Sequence, residues 1–173
     1  MRTGTEILTQ TEIETETETV ETSNDIRSFR GRYGFLSNFH LIPVPFRGLV
    51  FPSAEHAYAS AKTTNPDDIH RIHLASTPAK AKRIGRNVVC VDNWEDIKLA
   101  VMQDVLYSKF THNPLLGEKL LATGDKLLVE GNTWHDQTWG DCTCEGHRDI
   151  PGTNMLGRLL MIVRSILRAR QQA

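Results

Sequence analysis

The sequence predicts a mainly α-helical domain, of the α+β type with a few short strands, preceded by a tail. Several segments open with a capping residue or proline and continue with apolar residues at helical spacing. Only short apolar runs, such as residues 49–51 and 126–130, have the form of strands. The chain of 173 residues is long enough to bury a core without disulfides.

Residues 1–25 are predicted to form a disordered acidic tail rich in Thr and Glu. Too few apolar side chains are present to offset the entropy cost of ordering this segment. The alternation of Thr with Glu also has the period of a strand, so pairing with an open sheet edge is an alternative. The folded domain is therefore placed at residues 26–173.

Charge is distributed unevenly along the chain. Residues 1–25 hold seven acidic side chains and one arginine, which gives −6, so the remainder carries +5 of the formal net charge of −1. A mildly basic body is compatible with a phosphate-bearing ligand or nucleic acid, but the surplus is too small to indicate a duplex-binding protein.

The three cysteines, an odd number, and the absence of a secretory signal pattern predict a cytoplasmic protein. The longest apolar stretches, such as residues 159–163, are far shorter than the roughly 20 residues of a membrane span. We therefore expect no contact with a membrane.

The elements are predicted in order from cap signals and periodicity. Gly and Pro interrupt residues 26–50, which indicates loops and short strands, and residues 49–51 then lead into a first helix. Asp92 and Glu95 form a predicted capping box. Trp94 has the helical spacing of a core residue. Five further helices are predicted, over residues 67–73, 78–83, 93–110, 114–122 and 154–168, and a short buried strand is predicted over residues 126–130.

Residues 51–62 contain the first group of candidate catalytic side chains. Ser53 is the predicted N-cap, which places Glu55 in the first turn, close to His56 and Tyr58. There the backbone N–H groups and the helix dipole favour the ionised carboxylate by roughly 0.3–1 kcal/mol. Such an anion suits a positive charge that develops during a reaction. Alternatively, Glu55 stabilises only its own helix.

Residues 130–141, with the sequence EGNTWHDQTWGD, contain the second group. The indole faces of Trp134 and Trp139 can stack on planar rings, worth roughly 1–3 kcal/mol per base in single-strand binding. Asp136 can accept hydrogen bonds from sugar hydroxyls or hold a water. Alternatively, the tryptophans cover an apolar edge and Asp136 caps a turn, but the combination favours a ligand site.

Six sequence blocks together carry a resemblance to a known family. They lie at residues 34–39 (GFLSNF), 51–56 (FPSAEH), 93–94 (NW), 128–130 (LVE), 136–141 (Asp136 with WGD) and 154–161 (NMLGRLLM). In this order and spacing, which cover about residues 29–168, the chain resembles the NADAR family with its YbiA-like N-glycosidases. The resemblance implies a largely helical fold and cleavage of an N-glycosidic bond on a ribose that carries phosphate.

The resemblance also implies site residues. It links Glu55, Trp94, Asp136 and Trp139 to activity; we assign the two acids to catalysis and the two tryptophans to clamping ring systems. On this basis Trp94 belongs to both the core and the cleft. The other candidate substrate-binding residues are Asn38, Phe39, His56, Tyr58, Lys62, Trp134, Gly140, Asn154 and Arg158.

Breaking a ribose C1′–N bond builds positive charge on the sugar ring, as in glycoside hydrolysis. We therefore expect Glu55 to stabilise this cation or activate water, and Asp136 to position water or sugar hydroxyls. Phosphate contacts are expected from the helix starts at Ser53 and Asn154 and from the side chains of Lys62 and Arg158.

Three functions fit these residues, with no cofactor required. The first is hydrolysis of ADP-ribose from a nucleobase of the guanine class in nucleic acid, which would reverse ADP-ribosylation. The second is hydrolysis of phosphoribosylated intermediates of riboflavin synthesis, and the third is a non-catalytic module that binds ADP-ribose or NAD. Glu55 and Asp136 favour an enzyme, whose partner is ADP-ribosylated nucleic acid or a phosphoribosylated small molecule.

Residues 142–147 depart from the glycine-rich continuation that the resemblance implies. Cys142, Cys144 and His147, with His135, offer four potential ligands to Zn²⁺. Their spacing differs from the C-x₂₋₄-C pairs of structural zinc sites, so we expect no bound metal.

Overall fold

The computed structural model describes residues 25–172. The predicted tail, and the alternative that it pairs with a sheet, fall outside the described residues except for Asp25. The predicted mainly helical α+β class is confirmed. The described chain begins with a 3₁₀ helix, Gly31–Leu36, and two strands, Leu41–Phe46 (β1) and Leu49–Ser53 (β2). Five helices come next: Ala54–Ser60 (α1), Pro66–His73 (α2), Pro78–Gly85 (α3), Trp94–Thr111 (α4) and Pro114–Leu121 (α5). Two short strands, Gly131–Asn132 (β3) and Asp141–Cys142 (β4), precede the helix Met155–Gln171 (α6).

The described residues contain two sheets of two strands each. Strands β1 and β2 are antiparallel, whereas β3 and β4 are parallel and pair Gly131 with Asp141. The predicted strand over residues 126–130 is wrong, because this segment forms only an isolated bridge between Leu128 and Ile26. Other backbone groups of residues 126–130 bond to the side chain of Asn154, which donates to the Leu128 carbonyl and accepts from the backbone N–H of Glu130.

Side-chain caps mark the start of three of the six described α-helices, α1, α2 and α3. Ser53 caps α1 by accepting from the backbone N–H of His56, and Thr77 caps α3 in the same way. The predicted capping box of α4 is wrong: Asn93 is the N-cap and makes no side-chain cap bond. Asp92 lies one residue too early, and the Glu95 side chain instead pairs with Lys98.

Helix α4 is central to the core and packs against α6, α5, α1 and β1. Apolar side chains of α4, such as Val105 and Phe110, are fully buried, as is Leu160 of α6. Two buried basic side chains also link segments that are distant in the sequence. Lys109 donates to the Ser37 carbonyl at 2.8 Å, and Arg164 donates to the Thr123 hydroxyl at 2.7 Å. No helix within the described residues has the length and apolar character needed to cross a membrane.

Helix α1 is short and made mostly of small residues, which lets α3 approach it closely. A Cβ added at Gly85 of α3 would lie 2.8 Å from the Cβ of Ala59 in α1. At its other end, the backbone N–H of Glu55 donates to the Asn38 carbonyl at 3.0 Å. These contacts fix α1 against its neighbours and therefore fix the position of Glu55.

Candidate active site

A cavity of about 660 Å³ lies between α1 and the loop that joins β3 to β4. Side chains more than 70 positions apart in the sequence meet there, because α1 supplies one wall and the loop supplies another. The cavity is lined by nine of the predicted site residues: Asn38, Phe39, Glu55, Tyr58, Lys62, Trp94, Trp134, Asp136 and Trp139.

Three aromatic rings form a connected wall of this cavity. The Tyr58 ring centroid lies 5.1 Å from that of Trp94 and 5.4 Å from that of Trp139, the latter edge to face. Trp94 is 8% exposed, packs in the core and also lines the cavity, so it occupies both environments that the sequence predicted. Trp134 is 49% exposed, with the Arg30 guanidinium 5.7 Å from its ring.

The Glu55 carboxyl is buried, and this changes its expected ionisation. Burial raises the pKa of Glu55, while the cations Lys82, Lys62 and Arg86 oppose this rise and Asp136 adds to it. The sequence had suggested that the first turn of the helix would favour the ionised form. Helix α1 has only seven residues, and removal of the carboxyl from water outweighs the effect of its dipole.

Glu130 is a second acid in the cavity, half-buried overall with its Oε2 atom fully buried, and it was not among the predicted site residues. Burial, followed by the charge of Asp136, raises the pKa of Glu130 to about 7, against the opposing effects of Arg30, Lys82 and Lys109. Its Oε2 atom has no hydrogen-bond partner within residues 25–172. The sequence contained a signal for Glu130, because this residue follows the apolar Leu128 and Val129 and begins the aromatic loop (residues 130–141).

Asp136 both caps a turn and lines the cavity, so the two interpretations of this residue hold together. Its Oδ1 atom accepts from the backbone N–H groups of Thr138 at 3.1 Å and Trp139 at 2.8 Å. Buried Asn132 holds the same loop, since its side chain accepts from the backbone N–H of Asp136 at 3.2 Å and donates to the Asp136 carbonyl at 2.7 Å. The loop thus positions the carboxylate through its own backbone.

Cations surround the acids and can receive phosphate groups. Lys62 lies with its Nζ atom 5.6 Å from the Trp94 ring, and Lys82, Arg86 and Arg30 line the cavity as well. Sequence reasoning named only Lys62 in this group. The spacing of four between Lys82 and Arg86 was the missed signal, because residues four apart share one helix face.

Four predicted residues do not line the cavity, namely His56, Gly140, Asn154 and Arg158. The buried His56 ring bonds to the Ser53 hydroxyl at 2.7 Å and to the Ala75 carbonyl at 2.9 Å. A Cβ on Gly140 would lie 2.2 Å from the Glu130 carbonyl oxygen, so this glycine permits close backbone packing. Asn154 joins α6 to residues 128–130, and Arg158 is exposed on α6.

The two helix starts proposed for phosphate binding are already occupied by protein groups. At α1, the backbone N–H of Glu55 donates to Asn38, and that of His56 donates to Ser53. At α6, the backbone N–H groups of Met155 and Leu156 donate to the carbonyls of Thr138 and Trp139. Phosphate recognition in this cavity therefore depends on the cationic side chains.

Comparison with known proteins identifies the family to which this geometry belongs. The model of the NADAR domain matches residues 26–168. The chain belongs to the NADAR family. This confirms the resemblance carried by the six sequence blocks.

Among the relatives of this chain, some are named N-glycosidases and others riboflavin biosynthesis proteins. N-glycosidase YbiA of Shigella flexneri is 36% identical over 137 residues, which cover 78% of this chain and 82% of that protein. Riboflavin biosynthesis protein VVA0006 of Vibrio vulnificus is also 36% identical over 137 residues, but this chain spans only 36% of its length. The chain spans 23% of the chloroplastic riboflavin biosynthesis protein PYRR of Zea mays.

The NADAR fold is also seen in a solved structure. The NMR structure of the E. coli protein YbiA superimposes with a TM-score of 0.73 at 33% sequence identity, and the match covers 86% of each chain. The helical architecture around the cavity is therefore shared with that protein.

Proposed function

We propose that this protein is an N-glycosidase that hydrolyses the ribose C1′–N bond of an ADP-ribosylated nucleobase, of the guanine class, in nucleic acid. It would thereby reverse ADP-ribosylation. The observation that carries this proposal is the single cavity in which Glu55, Glu130 and Asp136 face Trp94 and Trp139. The N-glycosidase names of NADAR relatives support hydrolysis of an N-glycosyl bond.

The main requirement of this reaction is stabilisation of the positive charge that develops on the ribose. As the C1′–N bond breaks, its electron pair leaves with the base nitrogen and the ribose becomes an oxocarbenium ion. In its ionised form, Glu55 stabilises this cation, and Asp136 positions the water that attacks C1′. The proton that this water loses is released to solvent. Glu130, whose pKa is raised to about 7, can donate a proton to the departing nitrogen near neutral pH.

The cavity also suits the rest of an ADP-ribosylated base. Its volume of about 660 Å³ lies within the range of roughly 300–1,000 Å³ that ligand pockets occupy. Lys62, Lys82 and Arg86 supply positive charge for a diphosphate, while the aromatic wall offers faces for two flat ring systems. We place the activity in the cytoplasm, consistent with the free thiols of its three cysteines.

The alternative substrates are phosphoribosylated intermediates of riboflavin synthesis, and the names of the Vibrio and maize relatives favour them. These molecules contain the same ribose C1′–N bond and one phosphate. They would use the same acids but fewer of the cations.

Incubation of the full-length protein with both substrate classes tests the proposal. One arm uses an oligonucleotide ADP-ribosylated on guanine, as DNA and as RNA, and the other uses phosphoribosylated aminopyrimidines, with mass spectrometry of the released sugar. We expect ADP-ribose to be released from the first arm. Release of ribose phosphate only from the second arm would select the alternative substrate. Tight ADP-ribose binding without release from either arm would show a binding module and contradict the enzymatic proposal.

A further inference from the structure

Four metal-ligand side chains converge next to the aromatic loop, outside the set of residues that line the cavity. They are His135, Cys142, Cys144 and His147, and their ligand atoms all lie within 4.8 Å of one another. Cys142 is fully buried, Cys144 and His147 are partly buried, and His135 is exposed. The irregular sequence spacing of these residues had argued against a metal, but the fold brings them together.

The distances among three of these atoms match the edges of a zinc tetrahedron. The Nδ1 atoms of His135 and His147 are 3.3 Å apart, and the Cys144 sulfur lies 3.3 Å from the first and 3.1 Å from the second. Zn–N bonds of about 2.0–2.1 Å and a Zn–S bond of about 2.3 Å require about 3.4 Å between nitrogens and about 3.5 Å between nitrogen and sulfur. The Cys142 sulfur lies within 4.8 Å of each of these three atoms and would supply the fourth ligand.

The backbone explains how a C-x-C-x-x-H sequence can reach this geometry. Cys142 lies at the end of β4, and the next residue continues along β3, with the backbone N–H of Thr143 donating to the Asn132 carbonyl. A turn then returns His147 to Cys144, because the backbone N–H of His147 donates to the Cys144 carbonyl at 2.9 Å.

His135 reaches the cluster through an unusual backbone conformation. Its φ angle is 67°, in the left-handed region that non-glycine residues adopt uncommonly, although Asn, Asp and His do so more often than others. This conformation costs on the order of 1 kcal/mol or more, which an interaction of the side chain can offset. Ligation of a metal by the ring is such an interaction.

We propose that His135, Cys142, Cys144 and His147 form a structural Zn²⁺ site. Two thiolates and two imidazoles are a common ligand set for Zn²⁺, and four protein ligands leave no open position for a substrate or water. The site is therefore closed, and its role is to hold the chain rather than to take part in chemistry.

The position of the ion would make it a clamp on the candidate active-site loop. His135 lies between Trp134 and Asp136, which both line the cavity, while the two cysteines lie beyond the far end of the loop. Zinc would thus fix both ends of the segment that carries Asp136. Loss of the ion should disturb the cavity wall without removing any of its side chains.

Metal analysis of the full chain, purified reduced and without a histidine tag, is the first test. We expect about one zinc per chain. Replacement of zinc by Co²⁺ should give the thiolate charge-transfer absorption and the intense visible bands of a tetrahedral site. The Cys144→Ser variant should bind zinc at least about 100-fold more weakly, since loss of even an outer-shell partner costs about 10–100-fold.

Two matched variants separate metal binding from folding. Cys90→Ser replaces an exposed cysteine outside the cluster and should retain the metal. His135→Asn removes a ligand but keeps a residue that tolerates a positive φ, so it should lose zinc while remaining folded by circular dichroism.

Two outcomes would overturn the proposal. One is a wild-type protein that stays metal-free after incubation with Zn²⁺ under reducing conditions and gives no thiolate absorption with Co²⁺. The other is a disulfide between Cys142 and Cys144 as the stable state of the native protein, detected by mass spectrometry without reduction.

Discussion

At the scale of single residues, three of the acids that line the cavity, Glu55, Glu130 and Asp136, have different surroundings. Glu55 and Glu130 are removed from water, which raises the pKa of each, and Asp136 adds its negative charge to both. Asp136 is instead held by two backbone N–H groups. Such a separation of environments allows one acid to be ionised while another is protonated, as acid and base roles in one site require.

Glu55→Gln should reduce turnover and leave ligand binding nearly unchanged. The amide keeps the shape of the side chain but cannot carry the charge that opposes the oxocarbenium ion. We expect kcat for the cleaved substrate to fall by about 100-fold or more, with the Kd for ADP-ribose altered by less than about threefold. The matched control is Asp67→Asn, which changes an exposed first-turn acid of α2. A variant Glu55→Gln with wild-type turnover would remove this residue from the mechanism.

Glu130→Gln should change how stability depends on pH. The pKa of Glu130 rises from its ordinary 4.5 to about 7 in the folded protein. Its contribution to stability is therefore complete below pH 4.5 and is lost as pH rises through 7. Relative to wild type, the variant should gain at most about 3 kcal/mol of unfolding free energy between pH 5 and pH 8.

Urea unfolding of both proteins at these two pH values measures that gain, with Glu118→Gln, an exposed glutamate of α5, as the control. A difference between Glu130→Gln and wild type that does not vary with pH would show that Glu130 titrates normally.

Residue types and spacing, together with the family resemblance, pointed to many of the residues that line the cavity. The aromatic loop and the first turn of α1 both stood out in the sequence, and their residues meet. The sequence could not show which polar side chains form hydrogen bonds within the protein and are therefore not available to a substrate. His56 and Asn154 are satisfied by protein partners distant in the chain, whereas Lys82 and Arg86 are brought in by the packing of α3 on α1.

At the scale of elements, the contact between α1 and α3 determines the position of α1 and of its cavity-lining residue Glu55. Gly85→Ala adds a methyl group that would lie 2.8 Å from the Ala59 Cβ, so the helices must separate. We expect a loss of about 1–3 kcal/mol in unfolding stability, although alanine is the better helix former. Gly34→Ala, whose added Cβ meets nothing within 4 Å, should stay within about 0.5 kcal/mol of wild type. If Gly85→Ala were instead stabilising, the two helices would be packed less closely than described.

Local signals predicted elements well where the signal itself forms the boundary. Ser53 and Thr77 cap α1 and α3 with their own side chains, in agreement with the predicted N-cap at Ser53 and the predicted helix start at residue 78. The errors arose where a distant group competes. The segment 126–130 resembles a strand, yet Ile26 and Asn154 take its backbone bonds. Only the tertiary fold contains that information.

At the scale of the whole molecule, charge is divided between the first residues and the body. The first 24 residues carry six glutamates and one arginine, a formal charge of −5, while cations line the cavity. We expect a chain without residues 1–24 to have a KM for the nucleic-acid substrate that is severalfold lower at low salt, because less negative charge repels the phosphates. The effect should vanish in high salt and be absent for free ADP-ribose. An unchanged KM at low salt would show that the acidic residues do not act on this substrate.

The hydrogen bonds of Asn154 make the cavity dependent on helix α6. The Asn154 side chain joins residues 128–130 to the start of α6, and a Cβ on Gly157 would lie 2.0 Å from the Leu128 carbonyl, so helix and segment are in close contact. Leu156 of the same helix lines the cavity. Helix α6 thus supplies both a wall of the cavity and a large part of the core, so a chain without this helix should have neither a closed pocket nor turnover.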